Sequence, residues 1–523
     1  MLNIQFIIAH YIIHLPLIIY SMKKILPFIL IINMFMILSA QVVSFKSTPI
    51  KFFNTAFRMD LYKNDKNEVI LNPLSHAMFK SDPFYDAQSH NGKLNLYHYN
   101  SDLNFVNNSE TNFSDYSMLQ TFSLGTENAA ILESYNNDIW TLAYAAFSDS
   151  KMSANQGKKL CEFPIGSKRN KNLSVIVSQN KEYFALFNAF EIKNASIINA
   201  AVYDKDFNQV WIRKGINIPA KYENIGIESA TLTNQGDLLV LMESYDRQRR
   251  SITQYEMAVL SINGEKNEKE LVPVKGMLPM HSKILVNNNS FIISGLYLLS
   301  DTKGYQGLYS VVSEIETPDF SKIESIKFTS KFINDFSFKP NYKGNKPLEM
   351  ENIRIREIHP TADLGYIIIA EEQLITQFSS QKTLVDYYYD DGSILYAKVN
   401  KEGSFDFVHS IPRLNYSKNT GGNVNSFSSF ANENSVYLFY NFGSKFENLP
   451  LDKVKKNSFP SKSNAIMCVE IDIKTGKNKR FSILPANQKA LWIERQVLPL
   501  GDKEFAFVAR TLSKRFLCRV ELQ

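Results

Sequence analysis

Seven short runs rich in Val, Ile, Leu, Tyr and Phe recur along the chain at near-regular intervals, and this repeat limits the fold more than any other feature. They are "AAILESY" from Ala129, "YFALFNAF" from Tyr183, "DLLVLMESY" from Asp237, "SFIISGLY" from Ser290, "GYIIIAEE" from Gly365, "SVYLFYNF" from Ser435 and "EFAFVART" from Glu504. Their starts are separated by 54, 54, 53, 75, 70 and 69 residues. Fixed spacing of one kind of strand marks a repeat architecture. Five of the seven follow a polar turn: "SQNK", "NQGD", "NNNS", "NENS" or "LGDK". A strand precedes that turn, as in "LSVIV" and "SKILV", and a strand–turn–strand piece such as "AAVYDKDFNQVWI" follows the run. Asn, Gly and Asp supply the tight reversals.

Each unit therefore reads as four antiparallel strands, a, b, c and d. One such sheet cannot bury both of its faces, whereas a ring of them does. The expectation is an all-β chain, a β-propeller of about seven blades, with eight blades or tandem β-sandwiches as the alternatives. The last unit holds "EFAFVART" and "RFLCRVEL" and then ends without a strand d. A strand from the N-terminal part, within Lys51–Tyr62 or Lys93–Val106, is expected to complete it and remove the free edge. Over most of residues 90–522 the pattern resembles secreted bacterial β-propeller repeat proteins. The resemblance is architectural. No Trp-Asp closes a strand and no Ser-x-Asp-x-Gly-x-Thr-Trp box is present, so no residue's role follows from it.

The compartment follows from "MKKILPFILIINMFMILSAQ", residues 22–41. Two lysines, an apolar run and small residues stand in the order of a secretory signal peptide. Residues 22–40 read as that signal, residues 1–21 as an upstream extension before the working start at Met22, and residues 41–523 as a single propeller domain. The expected protein is exported, periplasmic or extracellular, and keeps no transmembrane segment, because no later apolar run approaches the ~20 residues a span needs. It is expected to be monomeric. Removing residues 1–40, which hold two Lys and no acid, lowers the net charge from +6 to about +4. That mild balance, with Lys and Arg scattered, does not call for a nucleic-acid partner. Cys161, Cys468 and Cys518 form no disulfide framework, although Cys468 and Cys518 fall in adjacent units of a ring.

No nucleophile elbow, phosphate loop, HExxH or CxxC occurs. His76, His90 and His98 lie near Asp82 and Asp86 but match no metal-ligand spacing. Asp204, Asp206 and Asn208 could wrap calcium, yet the EF-hand glycine and terminal Glu are missing, and a c–d turn explains them. Glu371 and Glu372 point to opposite faces of a strand and are read as solvated acids at its end. No metal or cofactor is expected.

The extra length of the later units falls near 331–358, 373–392 and 442–463. All three are b–c or d–a connections, which leave an antiparallel unit from the same end. That long-loop face is the expected binding side. "DYYYDDG" lies there, and Tyr387, Tyr388, Tyr389, Asp390 and Asp391 are the candidate contacts, because flat amphipathic rings and carboxylates suit a sugar or a peptide. Lys445, Lys453, Lys455, Lys456 and Lys462 make the third insertion a solvated basic segment. The functional expectation is a binding or scaffold module for a protein or glycan, with a propeller enzyme acting on polysaccharide or peptide as the alternative.

Overall fold

The computed structural model describes residues 42–522 except 51–57, 65, 67, 75–89, 125–126, 149–150, 194, 249–250, 274–275, 300–301, 303, 337–349, 382–383, 414, 419–425, 444–463, 484–491 and 511–513. Eight four-stranded antiparallel blades form a ring, so the expected all-β propeller is present with the eight-blade alternative. Blade 1 comprises Arg58–Lys63, Val69–Leu74, His90–Tyr99 and the first half of the long strand Phe105–Leu124. The second half of that strand begins blade 2, with Glu127–Asn136, Ile139–Ser148 and Lys151–Pro164. Blade 3 runs Leu173–Val177, Tyr183–Ile192, Ala195–Asp204, Gln209–Pro219, and blade 4 runs Asn224–Leu232, Leu238–Gln248, Ser251–Ile262, Asn267–Val272. Blade 5 holds Met277–Asn287, Ser290–Leu299, Gly307–Glu314 and Glu324–Lys327. Blade 6 holds Ile353–Pro360, Tyr366–Gln381, Leu384–Val399 and Phe405–Ile411. Blade 7 holds Phe427–Ala431, Ser435–Gly443, Asn464–Asp472 and Asn478–Ser482, and blade 8 holds Trp492–Pro499, Glu504–Arg510 and Arg515–Leu522.

The ring closes with the strand Val42–Pro49, which pairs antiparallel with Arg515–Leu522 and supplies blade 8 with its fourth strand. A closing N-terminal strand was expected, but further along the chain. Residues 58–63 and 90–99 belong instead to blade 1. That blade escapes the repeat pattern because its strand b, Val69–Leu74, is only six residues long and contains Pro73.

The core follows from the two-residue period of a strand, which sends alternate side chains to opposite neighbours. Phe505, Phe507 and Ala509 join Tyr437, Phe439 and Cys468 between blades 8 and 7. Ala506 and Val508 of the same strand join Leu61, Val69 and Leu71 between blades 8 and 1. Eight such apolar clusters occupy the eight blade–blade junctions. Cys468 and Cys518 share one of them, and all three cysteines are buried free thiols.

Every blade sends its a–b and c–d turns to one end of the ring and its b–c and d–a connections to the other, here called the upper face. Region 331–358 includes one short helix, Ser330–Phe336, whose Ile333 and Phe336 are buried. Region 373–392 is a paired extension of the blade-6 b–c hairpin, not an irregular loop, and Asn415–Lys418 adds a third strand to it through Tyr388–Asp391. Most of region 442–463, with Lys445, Lys453, Lys455, Lys456 and Lys462, lies outside the described residues. No helix of the described residues is long and apolar enough to cross a membrane.

Candidate functional site

A polar residue recurs inside the apolar b strands, at the fifth to seventh position of the run. Glu133, Asn188, Glu243, Glu371 and Asn441 stand there in blades 2, 3, 4, 6 and 7, and all are buried. In blades 2, 3 and 6 the residue fastens the segment that connects adjacent blades at the upper face. Glu133 accepts from Trp140 Nε1 at 2.6 Å and Lys171 Nζ at 2.7 Å. Asn188 Nδ2 donates to the Asn170 and Asn172 carbonyls at 2.9 and 3.0 Å. Glu371 pairs with Arg413 and Arg356 and accepts from Ser426 Oγ at 2.8 Å. A buried carboxylate without a compensating cation is costly, and blades 2 and 6 provide one.

Blade 4 breaks this rule. Glu243 meets a second carboxyl group, Glu228, and the two are hydrogen-bonded. Burial, then the Glu228 charge, pushes Glu243 up to about 8, and burial also raises Glu228. The pair thus holds a shared proton near neutral pH, as adjoining carboxyl groups do. Tyr255 Oη donates to Glu243 Oε2 at 3.1 Å.

The backbone explains how Glu228 reaches this place. The register of blade 4 skips one residue between Ile227 and Ser229, leaving Glu228 as a bulge. The inner strands of the next two blades are bulged as well, at His281–Ser282 and at Arg356. His281 takes a φ of 50°, a left-handed conformation seldom adopted by residues with a side chain. Bulges re-aim side chains and concentrate beside functional sites. Here they link three blades: Ser282 donates its backbone N–H to Glu228, Lys283 Nζ donates to the Arg356 carbonyl, and Arg356 Nε reaches Glu371 Oε2 at 2.8 Å. Burial pushes the Lys283 amine down.

A cavity of about 650 Å³ opens beside the acid pair. Blade 3 contributes Ser174, Phe187, Glu191 and Ser196, together with Arg169 and Asn170 from its incoming connection. Blade 4 contributes Ile227 to Ala230, including Glu228, and blade 5 contributes Lys283. Glu191 and Ser196 flank a b–c turn and Asn170 precedes an inner strand, so the cavity lies toward the upper face. Ser196 is only 1% exposed, and its Oγ has no hydrogen-bond partner among the described residues. A buried hydroxyl left unpaired costs stability unless something else satisfies it.

A second cluster joins the first strands of blades 6 and 7. His359 Nε2 lies 2.5 Å from Ser429 Oγ and 3.1 Å from Glu357 Oε2, and Ser429 also donates to Glu357. One ring nitrogen serves both partners, unlike a Ser–His–acid relay, in which each nitrogen has its own. The cluster ties blade 6 to blade 7.

Of the residues singled out in the sequence, Asp204 forms a turn, its Oδ1 accepting from the backbone N–H groups of Asp206 and Asn208 at 3.0 and 2.8 Å. Glu371 and Glu372 are not solvated acids at a strand end. The strand runs on to Gln381 and both are buried, Glu371 toward blade 7. His98 pairs with Glu68 at 2.9 Å, while His76, Asp82 and Asp86 lie outside the described residues. Among the described residues no group of three or more His, Cys, Asp or Glu could hold a metal ion. Tyr387, Tyr388 and Tyr389 have strand backbones, and their side chains lie outside the description; Asp390 pairs by backbone with Leu374 and Tyr416. Asp391 is buried, accepts from Gln373 Nε2 at 2.6 Å, and is pushed up to about 7 by burial and then by Glu371. Glu228, Glu243, Ser196 and Lys283 were missed. Only Glu228 left a signal, as the acid inside "NIGIESATL", where a strand should alternate; its meeting with Glu243 left none.

No known protein family matches the chain, and no curated protein does. Among solved structures it is similar to polysaccharide lyase Uly1, at 8% identity over 90% of each chain with a TM-score of 0.42. It is also similar to the WD40 domain of SCAP from fission yeast, at 9% identity over 91% of this chain and 98% of that one, TM-score 0.37. A third is the β-propeller domain of the Trilobed protease from Pyrococcus furiosus, described as having an open velcro topology, at 11% identity over 78% and 94%, TM-score 0.33.

Proposed function

We propose that this chain is an exported binding propeller that holds a small polar ligand of the glycan class in the cavity between blades 3 and 4. The observation that carries the reading is the unpaired, buried Ser196 hydroxyl in a cavity also lined by Glu228, Glu191, Lys283 and Arg169. The size falls within the range of small-ligand sites, about 300–1,000 Å³. Charges of both signs, hydroxyls, amides and the Phe187 and Phe190 rings suit an uncharged, hydroxyl-rich solute with apolar ring faces. A long glycan would make a second contact on the same upper face, at Tyr387, Tyr388 and Tyr389. Export rests on residues 22–40, and cleavage near Gln41 would leave the closing strand from Val42 whole.

An array of immobilised glycans tests this. The wild-type protein should retain at least one glycan. Ser174→Trp, which places a large ring in the cavity from an exposed position, should lose it while melting as the parent does. Retention of nothing, or equal retention by the variant, contradicts the reading.

A further inference from the structure

We propose that this cavity also cleaves the glycan it holds, with Glu228 delivering a proton to the oxygen of a glycosidic bond and Glu191 activating water. The inference rests on the glycan-binding reading above. Four observations carry it. Glu228 of blade 4 and Glu191 of blade 3 line one cavity, and glycoside hydrolysis uses a pair of carboxyl groups. The Glu228 bulge takes that residue out of the ladder, and the residue lines the cavity. Glu243, the equivalent of residues that meet cations in blades 2 and 6, here meets Glu228 and keeps a proton beside it. Ser196 leaves a hydroxyl free for a sugar hydroxyl.

The step balances with water as the only co-reactant. The carboxylic acid of Glu228 gives its proton to the bridging oxygen as the anomeric carbon–oxygen bond breaks, and the leaving sugar departs as an alcohol. Water attacks the anomeric carbon and gives its proton to Glu191. The pair takes a proton back from solvent, Glu243, a positioning residue, holds it beside Glu228 through their hydrogen bond, and Glu191 releases its own proton to solvent. Separation of the two roles is supported by environment: Glu228 is raised by burial and shares a proton, while Glu191 sits exposed at the end of its strand.

The test uses a glycan retained on the array and follows new reducing ends. Wild type should release them. Glu228→Gln, compared at saturating glycan, should cut at least about 100-fold more slowly. Glu191→Gln, at an exposed position where misfolding is not a concern, should also be slowed. A retained glycan left intact by wild type, or cut equally by Glu228→Gln, overturns the hydrolytic role and leaves binding standing. Products bearing an unsaturated sugar would mean elimination and overturn it too. A protein that retains no glycan overturns the binding reading, and this inference with it.

Discussion

Glu371 and Arg413 are both completely buried and pair with each other at the root of the projecting blade-6 hairpin. Burial alone would raise the Glu371 carboxyl, but Arg413 first and Arg356 next hold it below the ordinary carboxylate value. Arg413 also donates Nε to the Gly392 carbonyl at 3.1 Å. The pair therefore fixes both ends of the hairpin and the connection leading to blade 7. Replacing one partner, Arg413→Met, leaves a buried carboxylate short of its main cation and should cost about 3–5 kcal/mol in chemical unfolding. The double variant Glu371→Leu/Arg413→Met should cost less than the single one. Equal or greater loss in the double variant would mean that the pair itself, not the stranded charge, supplies the stability.

Glu243 should make stability fall as pH rises. Below its ordinary value of 4.5 the folded and unfolded chains both hold the proton and its contribution is complete. Between there and about 8 the unfolded chain releases the proton while the folded protein keeps it, so stability declines by roughly 1.4 kcal/mol per unit of the shift that is realised. Carboxylates held low, such as Glu371, act in the opposite direction, so the difference between variants isolates the effect. Glu243→Gln should melt higher than wild type at pH 8.5 and about equally at pH 4. A difference that does not change with pH contradicts the shared proton.

The closing strand is testable through Phe45, which packs against the cluster of Tyr437, Phe505 and Cys518 between blades 7 and 8. It is only half-buried, so Phe45→Ala should cost about 1–2 kcal/mol, less than a fully buried Phe. A chain beginning at Ile50 would expose the edge of Arg515–Leu522 and should self-associate on a sizing column. A truncated chain that stays monomeric and equally stable would mean that the ring is held closed without this strand.

Most of the ring was legible because strand b is the most buried strand of a blade, and burial on both sides demands a continuous apolar run such as "YIIIAE". Blade 1 was not, because six residues with a proline make a weak run. The acid pair was invisible for another reason. Glu133, Glu243 and Glu371 look alike in sequence, each following four or five apolar residues, but what they meet comes from a connecting segment or from a bulge. Lys171 lies 38 residues from Glu133 and Arg413 lies 42 from Glu371, while Glu228 reaches Glu243 only because one ladder position is skipped.

The hairpin tyrosines give a separate expectation. If the ligand extends across the upper face, replacing Tyr387, Tyr388 and Tyr389 together by Ala should weaken binding by roughly tenfold, about 1.4 kcal/mol, without changing the melting temperature. Unchanged affinity would restrict contact to the cavity.

The central claim is that the cavity between blades 3 and 4 is where the ligand sits, and a calorimetric titration of Ser174→Trp against the glycan retained by wild type tests it most directly. Filling the cavity should weaken binding at least about 100-fold, roughly 2.7 kcal/mol, in a protein that unfolds as wild type does. Wild-type affinity in that variant would place the ligand elsewhere and contradict the account.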